Sequence, residues 1–414
     1  MVKRYLKVIS LDDALALLSR EFSCIPSTGQ VPLEGASGRI TAGPVFARYS
    51  VPEIHLSAMD GIAVVSADTR VASEQHPVTL TRTARVNTGN VVPPEFDAVI
   101  MIEDVWETDG KYTIRKAAAP WQHVRPAGED LAESEMVMPS AHRIRAHEIG
   151  ALATYGITSP EVIAVRIGLI PTGSELVPAG TRPEPGQVVE SNTMMAKAIL
   201  GEAGATCTRY PFVEDRPEKI REAVAEAIKE NDIVIVSAGS SAGTKDYTAD
   251  VIAEMGEVLV HGVAIKPGKP VIIGRIHEKP VFGLPGYPLS ALTVLREIIL
   301  PFLRNYGIFV PALHVVRGCI TSAYPKEIGS DEFVLCTFGR VGNRWVVSPQ
   351  SKGAGVQMSA VRANAYLRVP QASEGFDAGE EVEAHLMVTA DEAAEALLVT
   401  GSHDPVIDYL ADLI

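Results

Sequence analysis

The spacing of apolar residues divides the chain into regions of different architecture. Residues 11–22 have apolar side chains at helical spacing behind Ser10, which fits an N-cap, and residues 142–155 return to a helical pattern. Between them, short β-rich runs are broken by Pro and Gly. We therefore predict a helical linker domain that flanks an inserted β-rich domain, with bounds 1–44 and 140–161 for the linker and 45–139 for the insert.

Strand and helix patterns alternate in the second half. Residues 232–237 (DIVIVS) are short, apolar and β-branched, which suits a strand buried on both faces, and residues 217–230 have an amphipathic helical pattern. Further strands are expected near 258–265 and 271–283. Repeated strand–helix units predict a parallel sheet with right-handed crossovers. The predicted class is α/β plus β, with an α/β domain at 162–306, a small β-barrel or sandwich at 307–390 and a tail at 391–414.

Composition narrows the class of protein. Of the 414 residues, 46% are hydrophobic, which excludes general disorder. No run approaches the roughly eighteen apolar residues of a membrane span, and the first residues carry charges where a signal peptide needs an apolar core. The four cysteines are scattered without metal-ligand spacing, as in a reducing compartment. We expect a cytoplasmic protein with no nucleic-acid or membrane partner.

The net charge of −14 is concentrated at one end of the chain. Eleven Asp and Glu residues and no Lys or Arg follow Arg368, so the preceding residues are nearly neutral. A uniformly acidic surface would repel anions, whereas a nearly neutral body leaves room for a local basic pocket.

Three loops at the expected carboxyl ends of strands have unusual composition. They are PTGSEL (171–176), SAGSSAGTKDYT (237–248) and LPGYPLSA (284–291). Ligands of open parallel sheets bind at these ends. In the third loop, Ser290 is placed to cap a helix or to bind an anion, and Pro288 suits the first helical turn.

The middle loop has the residue types of a phosphate cradle. Gly239 and Gly243 let the backbone approach an anion, and Ser240 and Ser241 add hydroxyl donors ahead of a helix N-terminus. Asp246 would repel the same anion unless a divalent cation lay between them, which points to Mg²⁺. The same residues also fit an ordinary Gly-Ser turn with Asp246 at a helix start.

KPGKP (266–270) adds positive charge. Lys266 and Lys269 flank a Pro-Gly turn, so both ammonium groups can face one side of a stiff loop. Two fixed lysines repel each other unless an anion joins them, which favours an oxyanion or phosphate site. The alternative is a pair of solvated turn lysines.

Taken singly, the other candidate residues fit common turn or helix-cap positions. Asp60 in SAMDGIAV, Thr88 in TGN and Asp130 in RPAGEDL fit turn positions. Asn192 in VVESN fits a helix cap that also touches a ligand.

Taken together, these segments resemble the MoeA family, the molybdopterin molybdenumtransferases related to the gephyrin E domain. The resemblance covers about residues 8–388, some nine tenths of the chain. Its segments run in the family order: SAMDGIAV, TGN–PPEFDAVIMIED, RPAGEDL, HEIGALATYGI, PTGSELV, VVESN, SAGSSAGTKDYT, IKPGKP and LPGYPLSA.

The resemblance implies a four-part subunit: a helical linker, an inserted β-rich domain, an α/β domain of the molybdopterin-binding type and a C-terminal β-barrel. It implies a homodimer whose cleft lies between the α/β domain of one subunit and the inserted domain of the other. In that cleft, molybdate would be inserted into adenylylated molybdopterin, and AMP would be released with a divalent cation.

The resemblance also implies roles for matching residues. Asp60, Thr88 and Asp130 would form the trans side of the cleft, and Asp246 would position Mg²⁺. Lys266, Lys269 and Ser290 would hold molybdate. The remaining cofactor-binding candidates are Thr172, Ser174, Asn192, Gly239, Ser240, Ser241, Gly243, Pro285 and Gly286.

Several motifs depart from the family pattern. The cradle loop lacks the usual Gly-Gly-Val-Ser-Val-Gly, and Tyr287 replaces the common Asn of Leu-Pro-Gly-Asn-Pro. Lys352-Gly353-Ala354-Gly355 stands where many members have Gln-Gly-Ser-Gly, so a hydroxyl ligand is missing. Tungstate therefore remains an alternative to molybdate as the metal oxyanion. The variant loops and the last residues resemble a subgroup fused to a periplasmic-binding-protein-like domain, so we expect a shortened form or relative of such a fusion.

Other functions stay open from the sequence. A non-catalytic module that binds or senses cofactor or oxyanion would bind these ligands without AMP turnover. A scaffold role lacks a long Pro/Ser linker, and a nucleotide-pyrophosphatase variant of the α/β domain does not explain the full inserted domain.

Overall fold

A computed structural model describes residues 8–23, 25–237, 247–350 and 357–395. The described residues form two compact units: residues up to 27 together with those from 164 onward, and residues 28–163. Among the described residues, every helix is too short or too polar to cross a lipid bilayer. The finer division into four domains stays a prediction.

The first helix of the larger unit, α1, is Leu11–Glu21. The Ser10 side chain accepts a hydrogen bond from the N–H of Asp13, and this N-cap fixes the start of the helix. Leu11, Ala14 and Leu18 are buried at helical spacing. The helix predicted from the sequence is confirmed.

A six-stranded sheet forms the centre of this unit. Its order is β2-β1-β3-β6-β5-β4. Four neighbouring strands, β2, β1, β3 and β6, are parallel, whereas β5 is antiparallel to both of its neighbours. The strands are β1 (Arg166–Pro171), β2 (Thr206–Arg209), β3 (Ile233–Ser237), β4 (Glu257–His261), β5 (Ile272–Ile276) and β6 (Lys279–Leu284).

The α/β class is confirmed, but a sheet that is parallel throughout is a wrong expectation. Residues 271–283 form two strands rather than one, because His277 and Glu278 make a tight turn with φ of 49° and 61°. Both φ values match the two-residue turn that joins antiparallel strands. His-Glu is not the usual sequence for this turn, so the spacing of apolar residues gave no sign of it.

Helices cover the sheet. Strand β3 is buried at all five positions, as its apolar sequence predicts. The amphipathic helix predicted at 217–230 is confirmed and packs Ile220, Val224 and Ala227 into the core below the sheet. The helices are α2 (Asn192–Glu202), α3 (Pro217–Glu230), α4 (Tyr247–Met255), α5 (Pro288–Val294) and α6 (Leu300–Leu303), with a π-helical turn at Leu295–Ile299 and a 3-10 turn at Arg304–Tyr306.

A closed five-stranded β-barrel follows. Its order is β8-β9-β7-β11-β10, and β10 pairs again with β8. Phe338 is fully buried inside it and stacks on Trp345, with ring centroids 5.0 Å apart. The barrel, rather than the sandwich, is confirmed. Its strands are β7 (Val315–Ile320), β8 (Asp331–Val341), β9 (Arg344–Pro349), β10 (Ala365–Val369) and β11 (Glu381–Leu386).

Shorter elements complete the larger unit. Its short strands are Leu176–Val177, Val188–Val189, Ile265–Lys266, Tyr324–Pro325 and Gly375–Phe376, and two helices, α7 (Gln357–Arg362) and α8 (Ala390–Glu395), accompany the barrel.

The smaller unit is rich in short strands, as the sequence predicts. Two three-stranded antiparallel sheets form its β-rich part. Its strands are Ser27–Gln30, Val45–Phe46, Leu56–Ser57, Gly61–Val64, Val78–Leu80, Ala84–Val86, Ala98–Met101, Val105–Thr108, Lys111–Ile114, Val124–Arg125, Met136–Met138 and Glu161–Ala164, with 3-10 turns at Leu33–Gly35, Ser66–Thr69 and Ile102–Asp104.

The helix expected over 142–155 is shorter than predicted and spans Glu148–Thr154. The N–H of His142 donates to Thr41 Oγ1, and Arg143 forms a β-bridge with Ile40, so this segment pairs with another strand-like segment instead. The Glu148 carboxylate accepts a hydrogen bond from the Arg145 N–H and stabilises the late helix start.

Candidate active site

The three predicted ligand loops begin at neighbouring strand ends. Strands β1, β3 and β6 end at Pro171, Ser237 and Leu284, and the register pairs Pro171 with Ser237 and Ser237 with Leu284. The three strand ends are therefore neighbours in the sheet. This is the edge at which α/β sheets bind ligands.

Thr172 and Ser174 differ in what they can offer a ligand. Thr172 is buried, and its N–H and hydroxyl both donate to the carbonyl of Ser237, over 2.9 and 3.3 Å. Its side chain therefore fixes the loop to the neighbouring strand. Ser174 is exposed two residues later and is accessible to a ligand.

Asn192 lies beside the LPGYP loop. Its Nδ2 donates to the carbonyl of Gly286 over 2.8 Å, and its buried Oδ1 has no hydrogen-bond partner among the described residues. Glu190 anchors the start of α2 by accepting hydrogen bonds from Thr193. The structure thus brings Asn192 and Gly286 together next to the buried Pro285. The Oδ1 of Asn192 remains an acceptor that a ligand can use.

Most of the cradle loop falls in the gap between the described residues 237 and 247. Gly239, Ser240, Ser241, Gly243 and Asp246 lie outside the described residues, as does Lys352. Their roles stay predictions.

Lys266, Lys269 and Ser290 line one cavity of about 250 Å³. The cavity lies between the IKPGKP loop, α5 and the barrel, all within the larger unit. Both lysines are exposed, and Ser290 is buried. Two cations and a hydroxyl at one cavity are suited to an anion with several oxygen atoms.

Gly268 allows the lysine loop to approach α5. Its φ is +113°, and a Cβ at this position would lie 3.1 Å from Val294 Cγ2 and 3.3 Å from the Ser290 carbonyl oxygen. A larger residue would push the loop away from the helix. The close packing of Gly268 therefore holds the two lysines beside Ser290.

Sequence reasoning missed an acidic residue in this cavity, Glu332. The short strand Ile265–Lys266 pairs in parallel with β8, and the register places Lys266 beside Glu332. The Lys266 Nζ lies 3.8 Å from Glu332 Oε1, and the hydroxyl of Tyr324 donates to that oxygen over 2.9 Å. Two adjacent acids, Asp331 and Glu332, at the start of an apolar run were the available signal in the sequence.

Arg296 and Tyr366 form a further part of the cavity wall that the sequence did not indicate. The guanidinium carbon of Arg296 lies 3.4 Å from the centre of the Tyr366 ring, as in a cation–π contact. Burial raises the pKa of the Tyr366 hydroxyl to about 12, so this ring stays neutral. The wall thus carries a third fixed cation, which is also ion-paired with Glu297 over 3.1 Å.

In the smaller unit, Asp60 and Thr88 are in contact. Asp60 Oδ1 accepts hydrogen bonds from the N–H of Thr88 over 2.6 Å and from its hydroxyl over 3.0 Å. The hydrogen bond from the Thr88 N–H, followed by the one from its hydroxyl, lowers the pKa of the Asp60 carboxyl, and the positive charge of Arg85 lowers it by a smaller amount. Asp60 is therefore an exposed, ionised carboxylate of fixed orientation.

Asp130 has a different partner. Its Oδ2 accepts a hydrogen bond from the hydroxyl of Tyr155 over 2.7 Å, and this bond raises the pKa of the tyrosine. Tyr155, which the sequence did not single out as a site residue, therefore orients this carboxylate.

A divalent cation needs oxygen ligands that converge. Across the described residues, His, Cys, Asp and Glu side chains nowhere gather in threes in a metal-binding arrangement. The described residues do not fit a Mg²⁺ site by themselves, so the predicted site depends on Asp246.

The fold and the cavity define a class of protein: an α/β domain that presents loops at its strand ends, joined to a β-barrel and accompanied by a β-rich unit. Three family models match in this order. They are the MoeA N-terminal region (domains I and II) at residues 9–156, a "probable molybdopterin binding domain" at 168–305 and the MoeA C-terminal region (domain IV) at 318–387.

Solved structures agree with the family models. A MoeA molybdopterin biosynthesis protein of Pyrococcus horikoshii is 32% identical, with a TM-score of 0.74, over 92% of this chain and 100% of that one. A second structure from this organism is 27% identical with a TM-score of 0.60 over the same shares. The protein described here belongs to the MoeA family.

A curated relative has a function in its name. The molybdopterin molybdenumtransferase of Staphylococcus aureus is 27% identical over 414 aligned residues, which span 94% of this chain and 98% of the relative.

Proposed function

We propose that this protein is a molybdopterin molybdenumtransferase of molybdenum cofactor biosynthesis. It would insert molybdate or tungstate into adenylylated molybdopterin and release AMP. The supporting observation is the cavity that gathers Lys266, Lys269 and Ser290, the last of which belongs to the LPGYPLSA segment at the end of β6. The family membership and the name of the relative from Staphylococcus aureus agree with this function.

The groups in the cavity and those in the loops near the strand ends each have a role in this proposal. Lys266 and Lys269 neutralise the oxyanion, and the Ser290 hydroxyl donates to one of its oxygens. Asn192 offers its Oδ1 as an acceptor for an N–H or O–H of the substrate. Pro285 and Gly286 shape the loop against which the substrate lies, and Ser174 adds an exposed hydroxyl.

The carboxylates Asp60 and Asp130 belong to the smaller unit, which we propose contributes them to the cleft of a homodimer together with Thr88. Their fixed orientation supports a role in substrate binding. Mg²⁺ dependence rests on Asp246 and on the cradle glycines and serines. The cytoplasm is the proposed compartment.

The test is AMP release. Purified protein with Mg²⁺, molybdate and adenylylated molybdopterin should yield free AMP and active cofactor. Asp246→Ala should abolish AMP release without unfolding the protein, whereas Asp250→Ala, an exposed acid of α4, should leave it unchanged. Tight binding of the substrate without any AMP release by the wild type would contradict the enzymatic function and favour a sensing module.

A further inference from the structure

Glu332 is an unusual residue for a cavity that binds anions. Its side chain is 5% exposed and lines the same cavity as both lysines. Oε1 accepts a hydrogen bond from Tyr324 and lies 3.8 Å from the Lys266 Nζ. Oε2 is buried and has no hydrogen-bond partner among the described residues. The cavity therefore contains an acceptor that its described neighbours do not satisfy.

An ionised carboxylate only accepts hydrogen bonds, and so does a fully deprotonated oxyanion. Placing the two side by side brings like charges together beside a buried carboxylate oxygen that already lacks a donor among the described residues. Lys266 has to neutralise both Glu332 and the oxyanion. Its Nζ lies 3.8 Å from Glu332 Oε1, which is the distance of an ion pair rather than of a short hydrogen bond. An oxyanion that enters the cavity therefore has to overcome this repulsion.

One proton removes the conflict. A carboxyl group that takes up a proton from water becomes an O–H donor, and it can then donate to an oxygen of the anion. The same result follows when the anion holds the proton and donates to Glu332. In either case an O–H···O hydrogen bond forms, one proton is taken up from the solvent, and no other bond changes.

We propose that Glu332 is a specificity-determining residue of this cavity, which admits oxyanions that share a proton with it and rejects sulfate. The inference rests on the proposed function, because it assumes that the cavity is the oxyanion site. Sulfate has the same charge and tetrahedral shape as molybdate and tungstate, so lysines alone separate them poorly. Sulfate is also the weaker base, so it shares a proton least readily, and an unpaired acceptor discriminates against it.

The other ionisable groups of the cavity do not supply this function. Lys266, Lys269 and Arg296 are donors to any anion, and burial followed by the hydrogen bond to Glu332 raises the pKa of Tyr324, which keeps it neutral. The charged and titratable side chains that line the cavity are Lys266, Lys269, Arg296, Tyr324, Glu332 and Tyr366.

Titration calorimetry of the whole protein with sodium molybdate, tungstate and sulfate tests this inference. Each titration is repeated in buffers of different ionisation enthalpy, which gives the number of protons taken up. The variant is Glu332→Gln, which keeps an acceptor for Tyr324 but removes the charge. The matched control is Glu327→Gln, an exposed acid outside the cavity that loses the same charge.

The wild type and the Glu327→Gln variant should bind molybdate at least about tenfold more tightly than sulfate, with uptake of about one proton. In Glu332→Gln, the two affinities should come within about threefold, and proton uptake should fall to about zero. An unchanged molybdate-to-sulfate ratio in Glu332→Gln, or no proton uptake by the wild type, would overturn the inference while leaving the AMP-release test unaffected. If the wild type binds none of the three anions, the inference and the proposed oxyanion site are both wrong.

Discussion

At the residue scale, the two hydrogen bonds from Thr88 decide the state of the Asp60 carboxylate. The donors hold one oxygen from two directions, and they stabilise the charged form. Asp60 is fully exposed, so this effect concerns its orientation and pKa rather than the stability of the fold.

Thr88→Val should raise the pKa of Asp60 part of the way toward its ordinary value, because the hydroxyl donor is lost and the backbone donor stays. The carboxyl carbon shift of Asp60, followed by NMR during a pH titration, measures this. Thr79→Val is the control, since the hydroxyl of Thr79 forms its hydrogen bond with the hydroxyl of Thr113. An unchanged midpoint for Asp60 in Thr88→Val would show that the backbone N–H alone sets this pKa.

Single residues also show the limits of sequence reasoning. Lys266, Lys269 and Ser290 were expected at one site because the resemblance to the MoeA family implies it, and one cavity brings them together. Glu332 was missed because a strand pairing with a segment more than sixty residues away in sequence places it there, and Tyr324 was missed because it reaches the cavity through its hydrogen bond to Glu332. The spacing of residues along a chain does not specify such long-range register.

At the scale of elements, the lysine loop depends on its approach to α5. Gly268 combines a left-handed conformation with close packing, because a Cβ at this position would lie 3.1 Å from Val294 and 3.3 Å from Ser290 of that helix. Each feature alone would disfavour a side chain at this position.

Gly268→Ala should lower the free energy of unfolding by about 1–3 kcal/mol and weaken molybdate binding, because the loop shifts away from Ser290. Gly180→Ala is the matched control. Gly180 has φ +88° but open space around its Cβ position, so it isolates the effect of backbone conformation. Denaturant unfolding and calorimetry measure the two effects. Equal losses in both variants, with unaltered molybdate binding, would contradict the role given to the close contact.

Strands β1 and β3 are also joined at their amino ends, opposite the strand ends that carry the ligand loops. Asp232 precedes β3 and accepts hydrogen bonds from the guanidinium and N–H groups of Arg166, at the start of β1, and from Ser27. Burial alone would raise the pKa of Asp232, but these bonds outweigh it and lower the pKa.

Asp232→Asn should reduce the free energy of unfolding by about 1–3 kcal/mol at neutral pH. Because the folded-state pKa is depressed, the stabilisation is present above the ordinary carboxyl pKa and is lost as the pH falls through the depressed value. The variant should therefore lose less stability than the wild type on acidification. Urea unfolding at several pH values, with the exposed Asp377→Asn as control, measures this, and identical pH profiles for the Asp232 variant and wild type would contradict it.

Element boundaries were predictable where local physics decides them. The N-cap at Ser10 and the amphipathic pattern of α3 placed two helices correctly. The helix at Glu148–Thr154 and the turn at His277 and Glu278 were not predictable, because pairing with distant segments and an unusual turn sequence overrode the local pattern.

At the scale of the whole molecule, the order of motifs predicted more than any single motif. Nine short segments in family order led to the family, and three family models match the chain in that order. The larger unit contains the cavity and the three strand ends, and the smaller unit contains the fixed carboxylates Asp60 and Asp130. The net charge did not indicate an anion-binding site, because most of it comes from the acids after Arg368 and the rest of the chain is nearly neutral.

The most direct test of the oxyanion cavity is anomalous diffraction from crystals soaked in molybdate. We predict a molybdenum peak inside the cavity, about 4–5 Å from the Nζ atoms of Lys266 and Lys269, and its loss in the Lys266→Gln/Lys269→Gln double variant. A peak that lies only outside this cavity, or one that persists at full strength in the double variant, would contradict the claim that these lysines bind the metal oxyanion.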